Sequence, residues 1–224
     1  MNRKLYCLIP TRDYEYEELE KFLPLLPKQR RDKVMVSKSD SRKAELILSG
    51  LFMGYCFKRE LGKNIADLQF ERTALGKPYL ANNTDIDFSL SHTKNAFVFA
   101  ISNLKIGVDI EYTDRVEKNF LALASRFFSK QEYDYILNSK NSSGHNFYNI
   151  WTMKEAYIKA NGRSIQELKK FNVFNVNKPQ NGEFYKFRNW MLGEYAIGLC
   201  LKSKYSDIKD EYEIEVISEK DIGL

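Results

Sequence analysis

The sequence predicts an α+β fold of two similar halves in a pseudo-twofold arrangement, each half a small, mainly antiparallel sheet packed on a long helix. Three observations carry this prediction. Apolar residues recur every three or four positions in some segments and every second position in others, and the order of helix followed by strands occurs twice. The 224 residues suffice for one large domain or two small ones. We therefore expect an N-terminal half at residues 1–104 and a C-terminal half at residues 105–224.

The first half begins with a predicted strand at residues 4–9 and a helical segment at residues 17–26. A long buried helix is predicted at residues 40–61, because Ser39 is a good N-cap and Gly62 is a good helix stop. The apolar period then changes to two, which is typical of strands. Short strands separated by turn residues are predicted at residues 68–73, 86–91, 96–102 and 106–113.

Helices return in the second half of the chain. They are predicted at residues 117–127, 129–138 and 146–160, with His145 in a solvated loop before the third helix. The remainder has strand character again, with alternating apolar residues between turn signals. Strands are predicted there at residues 171–176, 183–190, 195–203 and 213–218.

The composition excludes several classes of protein. Hydrophobic residues make up 43% and charged residues 29%, which indicates a folded chain, neither disordered nor fibrous. The chain has no apolar run of about 18 residues, and its N-terminal apolar stretch is too short for a signal peptide, so no membrane contact is expected. Cys7, Cys56 and Cys200 are isolated, which predicts reduced thiols in a cytoplasmic protein, with neither a disulfide nor a zinc site.

The positive charge is concentrated in one segment. The whole chain carries a net charge of +5, and residues 28–43 alone hold seven basic and two acidic residues, which is also +5. Such a local cluster predicts either one anionic partner or a solvated helix face. Nucleic acid and a phosphate-bearing small molecule are both possible partners. The small molecule fits at least as well, because no basic stripe interleaved with aromatic residues continues beyond the segment.

Two carboxylates are predicted to lie side by side on one strand. Asp109 and Glu111 alternate with Val108 and Ile110, so they share a face and lie about 6.6 Å apart along the strand. Two buried carboxylates repel each other and lose hydration, and a divalent cation would relieve both costs. Oxygen ligands with no nearby histidine or cysteine favour Mg²⁺ over zinc. The alternative is an acidic strand face exposed to solvent.

A later helix contains a second set of polar residues. Trp151, Glu155 and Lys159 are spaced four apart and therefore share one face. Glu155 and Lys159 are either a third oxygen ligand with a phosphate-neutralising lysine or an ordinary exposed Glu–Lys pair. Together with Asp109, Glu111 and the basic segment, they form a set suited to a Mg²⁺-bound pyrophosphate ester.

Several other polar residues have both a structural and a functional interpretation. Ser91 and His92 end a predicted strand, where they either bind an anion or serve the fold. Lys77, in a Gly-Lys-Pro turn, is either a ligand or an exposed turn residue. Ser129 and Glu132 form a capping box at a helix start, which explains Glu132 without catalysis, although the same residue remains an alternative general base.

Five short segments occur in a characteristic order and at characteristic separations. They are GKPYL (76–80), FSLSHT (88–93), GVDIE (107–111), FFSKQEY (127–133) and WTMKEAYIKANG (151–162). Together they resemble the 4′-phosphopantetheinyl transferase superfamily, in particular the larger, monomeric type that serves the carrier proteins of peptide and polyketide synthases. The resemblance extends over most of the chain.

This resemblance implies transfer of the 4′-phosphopantetheine arm of coenzyme A to a serine of an apo acyl or peptidyl carrier protein, with release of adenosine 3′,5′-bisphosphate. It implies Mg²⁺, or Mn²⁺, at Asp109, Glu111 and Glu155, with Glu155 and Lys159 as catalytic residues. Arg30 and Arg42 are alternatives to their basic neighbours in the set around coenzyme A. That set is Lys28, Arg31, Lys43, Lys77, Pro78, Ser91, His92, Asp109 and Lys159.

The resemblance also implies a monomer with a surface for docking the carrier protein. This surface is expected near residues 112–123 and 162–174 and includes Tyr112, Arg163 and Lys169. Two other functions remain open. A coenzyme A-binding protein without transferase activity would need the basic segment but not all three carboxylates. A nucleic-acid-binding module would bind DNA or RNA in a strongly salt-dependent way that coenzyme A does not compete away.

Overall fold

The chain forms six helices and nine strands within the part that the structure describes. A computed structural model describes residues 4–83, 85–114, 119–139, 143–175, 179, 182–208 and 211–224. The helices are α1 (Tyr16–Leu19), α2 (Lys28–Val36), α3 (Asp40–Leu61), α4 (Phe120–Phe127), α5 (Lys130–Leu137) and α6 (Ser143–Asn161). The strands are β1 (Lys4–Leu8), β2 (Phe70–Arg72), β3 (Pro78–Leu80), β4 (Asp87–Thr93), β5 (Ala96–Ser102), β6 (Lys105–Tyr112), β7 (Phe184–Leu192), β8 (Tyr195–Ser203) and β9 (Glu213–Ile217).

These strands form two main sheets and one short hairpin of β2 and β3. The first sheet has the order β4-β5-β1-β9 and is antiparallel except for the parallel pair β1–β9. The second sheet has the order β6-β8-β7 and is antiparallel. The predicted α+β class is confirmed. Because β9 comes from the C-terminal end and completes the first sheet, the division between residues 104 and 105 stays a prediction about folding units.

The layers follow the order helix, sheet, sheet, helix. One face of the first sheet packs on α3 through a core whose buried aromatic members include Tyr6, Phe52, Phe57, Phe88 and Phe99. The alternate residues of β1 and β5 share an aliphatic core with the second sheet, which includes Leu5, Cys7, Val98, Val108 and Leu199. The outer face of the second sheet packs on α6.

Strand β4 runs beside β6 and uses side chains to satisfy backbone amides of β6. The Ile106 amide donates a hydrogen bond to Asp87 at 2.8 Å, and the Val108 amide donates one to the Ser89 hydroxyl at 3.0 Å. Asp87 and Ser89 are both buried. A buried amide without a partner destabilises a fold, so these bonds fix the position of one sheet against the other.

Helix α6 lies very close to the second sheet because two strand glycines face it. A Cβ atom on Gly107 of β6 would lie 1.9 Å from the carbonyl oxygen of Ala156, and one on Gly198 of β8 would lie 2.5 Å from that of Thr152. These distances leave no room for a side chain at either position. The close approach brings the side chains of α6 next to the other residues on the Gly107 face of β6.

The long helix of the first half is confirmed with its termini. The Ser39 hydroxyl accepts a hydrogen bond from the Arg42 amide at 3.3 Å, and Gly62 ends the helix with a φ of 67°. No helix among the described residues is both long and apolar enough to cross a membrane.

Other predicted elements differ from those observed. The predicted strand at residues 171–176 is wrong within the described part, because Phe171 and Val173 are buried anchors of an irregular segment that has no neighbouring strand. The predicted helix at 117–127 begins only at Phe120, and residues 115–118 lie outside the described residues.

His145 lies in the first turn of α6 and not in a loop, because that helix begins earlier than predicted. The segment predicted as helix at residues 17–26 divides into α1 and a 3₁₀ turn that contains Pro24, since proline cannot continue an α-helix. Helix α2 and strand β3 were not predicted as elements.

We expect Gly107→Ala and Gly198→Ala each to lower the free energy of unfolding by about 3 kcal/mol or more, because the added methyl group must push α6 away from the sheet. Urea unfolding followed by circular dichroism measures the change. Gly54→Ala in α3 is the control. A Cβ there would lie 3.2 Å from the Ile65 side chain, and alanine favours the helix, so we expect a change within about 1 kcal/mol. A Gly107→Ala protein as stable as the wild type would contradict the close packing of α6.

Candidate active site

Asp109 is the centre of the carboxylate cluster and is only 4% exposed. Its Oδ1 accepts hydrogen bonds from the Ser91 hydroxyl at 2.8 Å and from the Lys159 ammonium at 2.6 Å. Its Oδ2 is buried and has no hydrogen-bond partner among the described residues. A buried carboxylate oxygen without a partner is costly, so this atom is suited to a ligand that brings positive charge.

Glu111 lies two residues along the same face of β6. Burial, followed by the negative charge of Asp109, raises the pKa of Glu111 to about 7. The Trp151 indole and the charge of Lys159 both act to lower this pKa. The predicted grouping of Trp151 with the site is therefore observed, because its indole lies close enough to Glu111 to act on the carboxylate.

Glu155 lies on α6 one turn before Lys159. Burial, followed by the charge of Asp109, raises the pKa of Glu155, while Lys159 opposes this shift. The electrostatic influence of Asp109 on both glutamates means that the three carboxylates belong to one cluster. The alternative of an exposed acidic strand face is wrong, because Asp109 is buried.

The cluster has the properties that a hard cation requires. Three carboxylates carry the oxygen donors that Mg²⁺ prefers, and Asp109 Oδ2 has an unused lone pair inside the protein. Among the described residues, no three acidic, histidine or cysteine side chains already converge as a metal-binding set. Ser91 and Lys159 hold the other oxygen of Asp109. The residues therefore fit an open site, in which a cation keeps some of its water.

A second polar group lies where β4 meets the start of α3. The His92 Nε2 lies 2.6 Å from a carboxylate oxygen of Glu45, and the same oxygen forms a close ion pair with Arg42. The His92 ring stacks on Phe97 with centroids 6.0 Å apart. Burial lowers the pKa of His92, and the charge of Glu45 opposes this shift.

A cavity of about 110 Å³ lies between α2, α3 and strands β2 to β4. Its wall carries three cationic side chains, Arg30, Lys33 and Arg72, over apolar residues that include Phe70 and Leu90. Pro78 lines the same cavity. Burial and neighbouring cations lower the pKa of Lys33, as expected where positive charges converge. Glu71 also lines this cavity.

The predicted basic residues of the N-terminal segment have other partners in this structure. Lys28 is 78% exposed and pairs with Asp32. Arg31 donates to the Leu26 carbonyl at 2.7 Å. Lys43 pairs with Asp40 on α3 and lies over the Tyr16 ring. Of the neighbouring alternatives, Arg30 lines the cavity and Arg42 contacts His92.

Lys77 is not an exposed turn residue. Its ammonium group is largely buried, pairs with Asp87 and donates to the Ile106 carbonyl at 2.8 Å. It therefore joins the turn before β3 to the contact between β4 and β6. Ser91 lies two residues after Ser89 on β4. Its hydroxyl donates a hydrogen bond to Asp109 and accepts one from the Lys159 ammonium at 2.6 Å.

Glu132 is confirmed as a helix cap and is fully buried. It accepts hydrogen bonds from the backbone amides of Ser129 at 2.7 Å and Val173 at 2.8 Å, and pairs with the equally buried Lys154 at 2.9 Å. A side chain with no exposed surface cannot touch a substrate. This burial argues against Glu132 as the general base, and the assignment of the base stays a prediction.

The residues predicted for carrier docking lie at the surface and engage in local contacts. The Tyr112 hydroxyl donates to Glu194 at 3.0 Å, Arg163 pairs with Glu167, and the Lys169 ammonium donates to the Ser125 carbonyl. Exposed apolar side chains occur in the same two segments, namely Leu121, Ile165 and Phe174. The remaining part of this predicted surface, residues 115–118, lies outside the described residues.

Three functional or supporting residues were not predicted. Asp87 and Ser89 precede Ser91 at a spacing of two, so the period of β4 indicates that all three share a face. Glu45 gave no comparable signal, since an acidic residue in the first turns of a long helix is ordinary.

The comparisons with known proteins cover both parts of the chain. A family model described as the 4′-phosphopantetheinyl transferase superfamily matches residues 105–217, and a model described as 4′-phosphopantetheinyl transferase, N-terminal, matches residues 12–104. The 4′-phosphopantetheinyl transferase Sfp of Bacillus subtilis is 29% identical over 183 residues, which are 80% of this chain and 79% of the relative.

Further similarities have narrower or weaker coverage. The 4′-phosphopantetheinyl transferase gsp of Aneurinibacillus migulanus is 36% identical over 115 residues, which are 51% of this chain and 46% of the relative. Among solved structures, a holo-(acyl-carrier-protein) synthase from Bacillus anthracis in complex with CoA (3′,5′-ADP) matches with a TM-score of 0.37 and 21% identity, over 45% of this chain and 96% of that chain.

The two matched regions together contain the carboxylate cluster and the basic group around His92. The predicted enzyme class and the predicted similarity to the larger type of this enzyme are both confirmed. The chain belongs to the 4′-phosphopantetheinyl transferase superfamily.

Proposed function

We propose that this protein transfers the 4′-phosphopantetheine arm of coenzyme A to the serine hydroxyl of an apo carrier protein and releases adenosine 3′,5′-bisphosphate. The observation that carries the proposal is the buried, unpartnered Oδ2 of Asp109 beside two glutamates whose pKa values are raised. Such an arrangement is unfavourable in the protein alone and becomes favourable with a divalent cation and a phosphate ester.

Asp109, Glu111 and Glu155 are the residues that we propose to hold Mg²⁺, and Mn²⁺ has the same preference for oxygen. When bound, the cation supplies positive charge to the pyrophosphate and to the phosphate that leaves. Three ionised carboxylates outweigh the one lysine, so the group carries a net negative charge that a divalent cation would neutralise.

The reaction replaces a phosphoanhydride bond with a phosphate ester bond. The serine oxygen of the carrier attacks the phosphorus next to pantetheine, and the bond from that phosphorus to the bridging pyrophosphate oxygen breaks. Glu155 takes the proton of the serine hydroxyl. Lys159 is 29% exposed, so its ammonium can reach a phosphate oxygen beside the Asp109 carboxylate.

Coenzyme A is proposed to lie along β4, with its nucleotide in the cavity lined by Arg30, Lys33 and Pro78. His92 and Arg42 would receive the 3′-phosphate at the boundary of that cavity. Lys28, Arg31 and Lys43 remain predictions as ligands. Lys77 supports the site through its buried pair with Asp87, which holds β4 against β6.

The carrier protein is proposed to dock on the surface that includes Tyr112, Arg163 and Lys169. The exposed apolar residues Ile165 and Phe174 add the mixed apolar and basic character that an acidic helical carrier would bind. We propose that the protein acts as a monomer.

The principal competing function is coenzyme A binding without transfer, and one experiment separates the two. We expect the intact mass of an apo carrier to increase by one phosphopantetheine group after incubation with the protein, coenzyme A and Mg²⁺, and EDTA to prevent this. Peptidyl, polyketide and fatty-acid carriers form the test set. Asp109→Asn should lower the transfer rate by about 1000-fold while changing coenzyme A affinity by less than about fivefold.

No mass increase on any carrier, with intact coenzyme A binding, would favour the binding protein without transferase activity. Equal losses of affinity and transfer in Asp109→Asn would also contradict the proposed role, because a group that holds the cation should matter more for the reaction than for binding the nucleotide.

A second prediction concerns the stability cost of Glu111. Its pKa of about 7 exceeds the ordinary value of 4.5, so the folded protein binds this proton more tightly than the unfolded chain does. Stability is therefore lost as pH rises from about 4.5 to 7. At pH 8 without metal, we expect Glu111→Gln to raise the free energy of unfolding by about 1–3 kcal/mol, and at pH 4 to leave it unchanged.

Urea unfolding at the two pH values, with and without Mg²⁺, measures this effect. The wild type should gain stability from Mg²⁺, and Glu111→Gln should not. Glu213→Gln, on the exposed edge strand β9, is the control for the loss of one negative charge and should follow the wild type. A destabilised Glu111→Gln protein at pH 8 would show that the carboxylate is satisfied without a cation.

A third prediction distinguishes Glu155 from Glu132 as the general base. Glu132→Gln leaves the buried charge of Lys154 unpaired and should lower the free energy of unfolding by about 3–5 kcal/mol, with a near-normal rate in the fraction that remains folded. Glu155→Gln should remain folded and lose at least about 100-fold in transfer rate. Unfolding curves together with single-turnover transfer at saturating carrier measure both properties. A stable Glu132→Gln protein with the larger loss of rate would assign the base to Glu132.

A further inference from the structure

The two groups proposed to receive the 3′-phosphate are already joined by a carboxylate. One oxygen of Glu45 lies 2.6 Å from the His92 Nε2 and also forms the close ion pair with Arg42. The Arg42 Nη1 and the His92 Nε2 are themselves 3.3 Å apart. The Glu45 oxygen thus occupies the place between two donors that an oxygen of a phosphate would take.

This bridge also lies where two cavities adjoin. Along β4, Leu90 lines the cationic cavity and His92 lines a second cavity of about 640 Å³. Along α3, Leu46 lines the first cavity and Glu45 lines the second. The contact between Glu45 and His92 therefore lies beside the residues that line the first cavity.

Besides Glu45, the charges with the largest effect on His92 among the described residues are positive. Arg42, Lys159 and Arg30 all act to lower its pKa, and Glu45 acts in the opposite direction. The side chains of His92 and Glu45 are 39% and 32% exposed, so an incoming anion can reach them and the Glu45 side chain can turn towards solvent. Glu45 is therefore the local counter-ion of a group that otherwise favours an anion.

We infer that Glu45 is an internal competitor of the 3′-phosphate of coenzyme A, so that binding of this phosphate requires the Glu45–His92 contact to open. The inference rests on the proposed function, because it takes the group around His92 as the site of that phosphate. Glu45 lowers the affinity for every ligand that carries the 3′-phosphate, which includes both coenzyme A and the released bisphosphate. A ligand without that phosphate should be insensitive to Glu45.

Calorimetric titration of Glu45→Gln with coenzyme A and with 3′-dephospho-coenzyme A tests this inference. Glutamine keeps the size of the side chain and removes its charge. We expect coenzyme A to bind about tenfold more tightly to Glu45→Gln than to the wild type, because the charged competitor is gone. Affinity for the dephospho ligand should change by less than about twofold, and adenosine 3′,5′-bisphosphate should follow coenzyme A.

Two further proteins serve as controls. Glu213→Gln makes the same change in net charge on β9, three strands away from β4 in the first sheet, and should alter neither affinity by more than about twofold. In the double variant Glu45→Gln/His92→Ala, the gain should disappear, since the donor that Glu45 engages is absent.

The possible failures are distinguishable. Unchanged or weaker binding of coenzyme A by Glu45→Gln, with normal binding by the wild type, would overturn the inference alone and make Glu45 a residue that positions His92. An equal gain for the dephospho ligand would overturn it too, by showing a general charge effect. A wild-type protein that binds no coenzyme A would overturn the proposed function and this inference with it.

Discussion

The close contact between helix α6 and the second sheet is the constraint on which the candidate site depends. Backbone atoms of α6 lie against Gly107 and Gly198 at distances that exclude any side chain. Gly198 is the register partner of Asp109, so the point of closest approach is also the level of the central carboxylate. If α6 lay further away, Glu155 and Lys159 could not share the electrostatic environment of Asp109. The glycine of the GVDIE segment is thus a packing requirement of the carboxylate cluster.

This packing creates an electrostatic problem that the protein alone solves only in part. Three carboxylates act on one another electrostatically in a largely buried space, and Lys159 lies beside Asp109. Asp109 Oδ1 is satisfied by Ser91 and Lys159, whereas Oδ2 is without a partner in the described residues. Burial and the neighbouring negative charge also raise the pKa values of Glu111 and Glu155, so both carboxylates hold a proton more tightly than usual. A group that destabilises the protein on its own is best explained by a ligand that it is built to hold.

The sequence predicts most of the strands and the long helices because their signals are local. The apolar runs of β5 and β8 and the cap residues of α3 depend only on neighbouring residues. The carboxylate cluster was predictable for a similar reason, since a spacing of two on a strand and of four on a helix each fix a face. The segment at 171–176 was misassigned because Phe171 and Val173 alternate like a strand, although they anchor a loop beneath α6. No local pattern can reveal that a neighbouring strand is missing, or that Glu45 meets His92 from a helix almost fifty residues earlier.

Two lysines on α6 show how tertiary contacts decide between a structural and a functional role. Lys154 and Lys159 are both charged residues of one helix, and the sequence does not distinguish their burial. Lys154 is fully buried, and its ammonium pairs with Glu132 and donates to the carbonyls of Leu168 and Phe171. An ammonium has three protons to donate, so Lys154 has none left for a ligand. Lys159 donates to Ser91 and Asp109 and remains 29% exposed, which leaves it one proton and a path to solvent. Only the second lysine can therefore receive a phosphate without first breaking the structure that positions it.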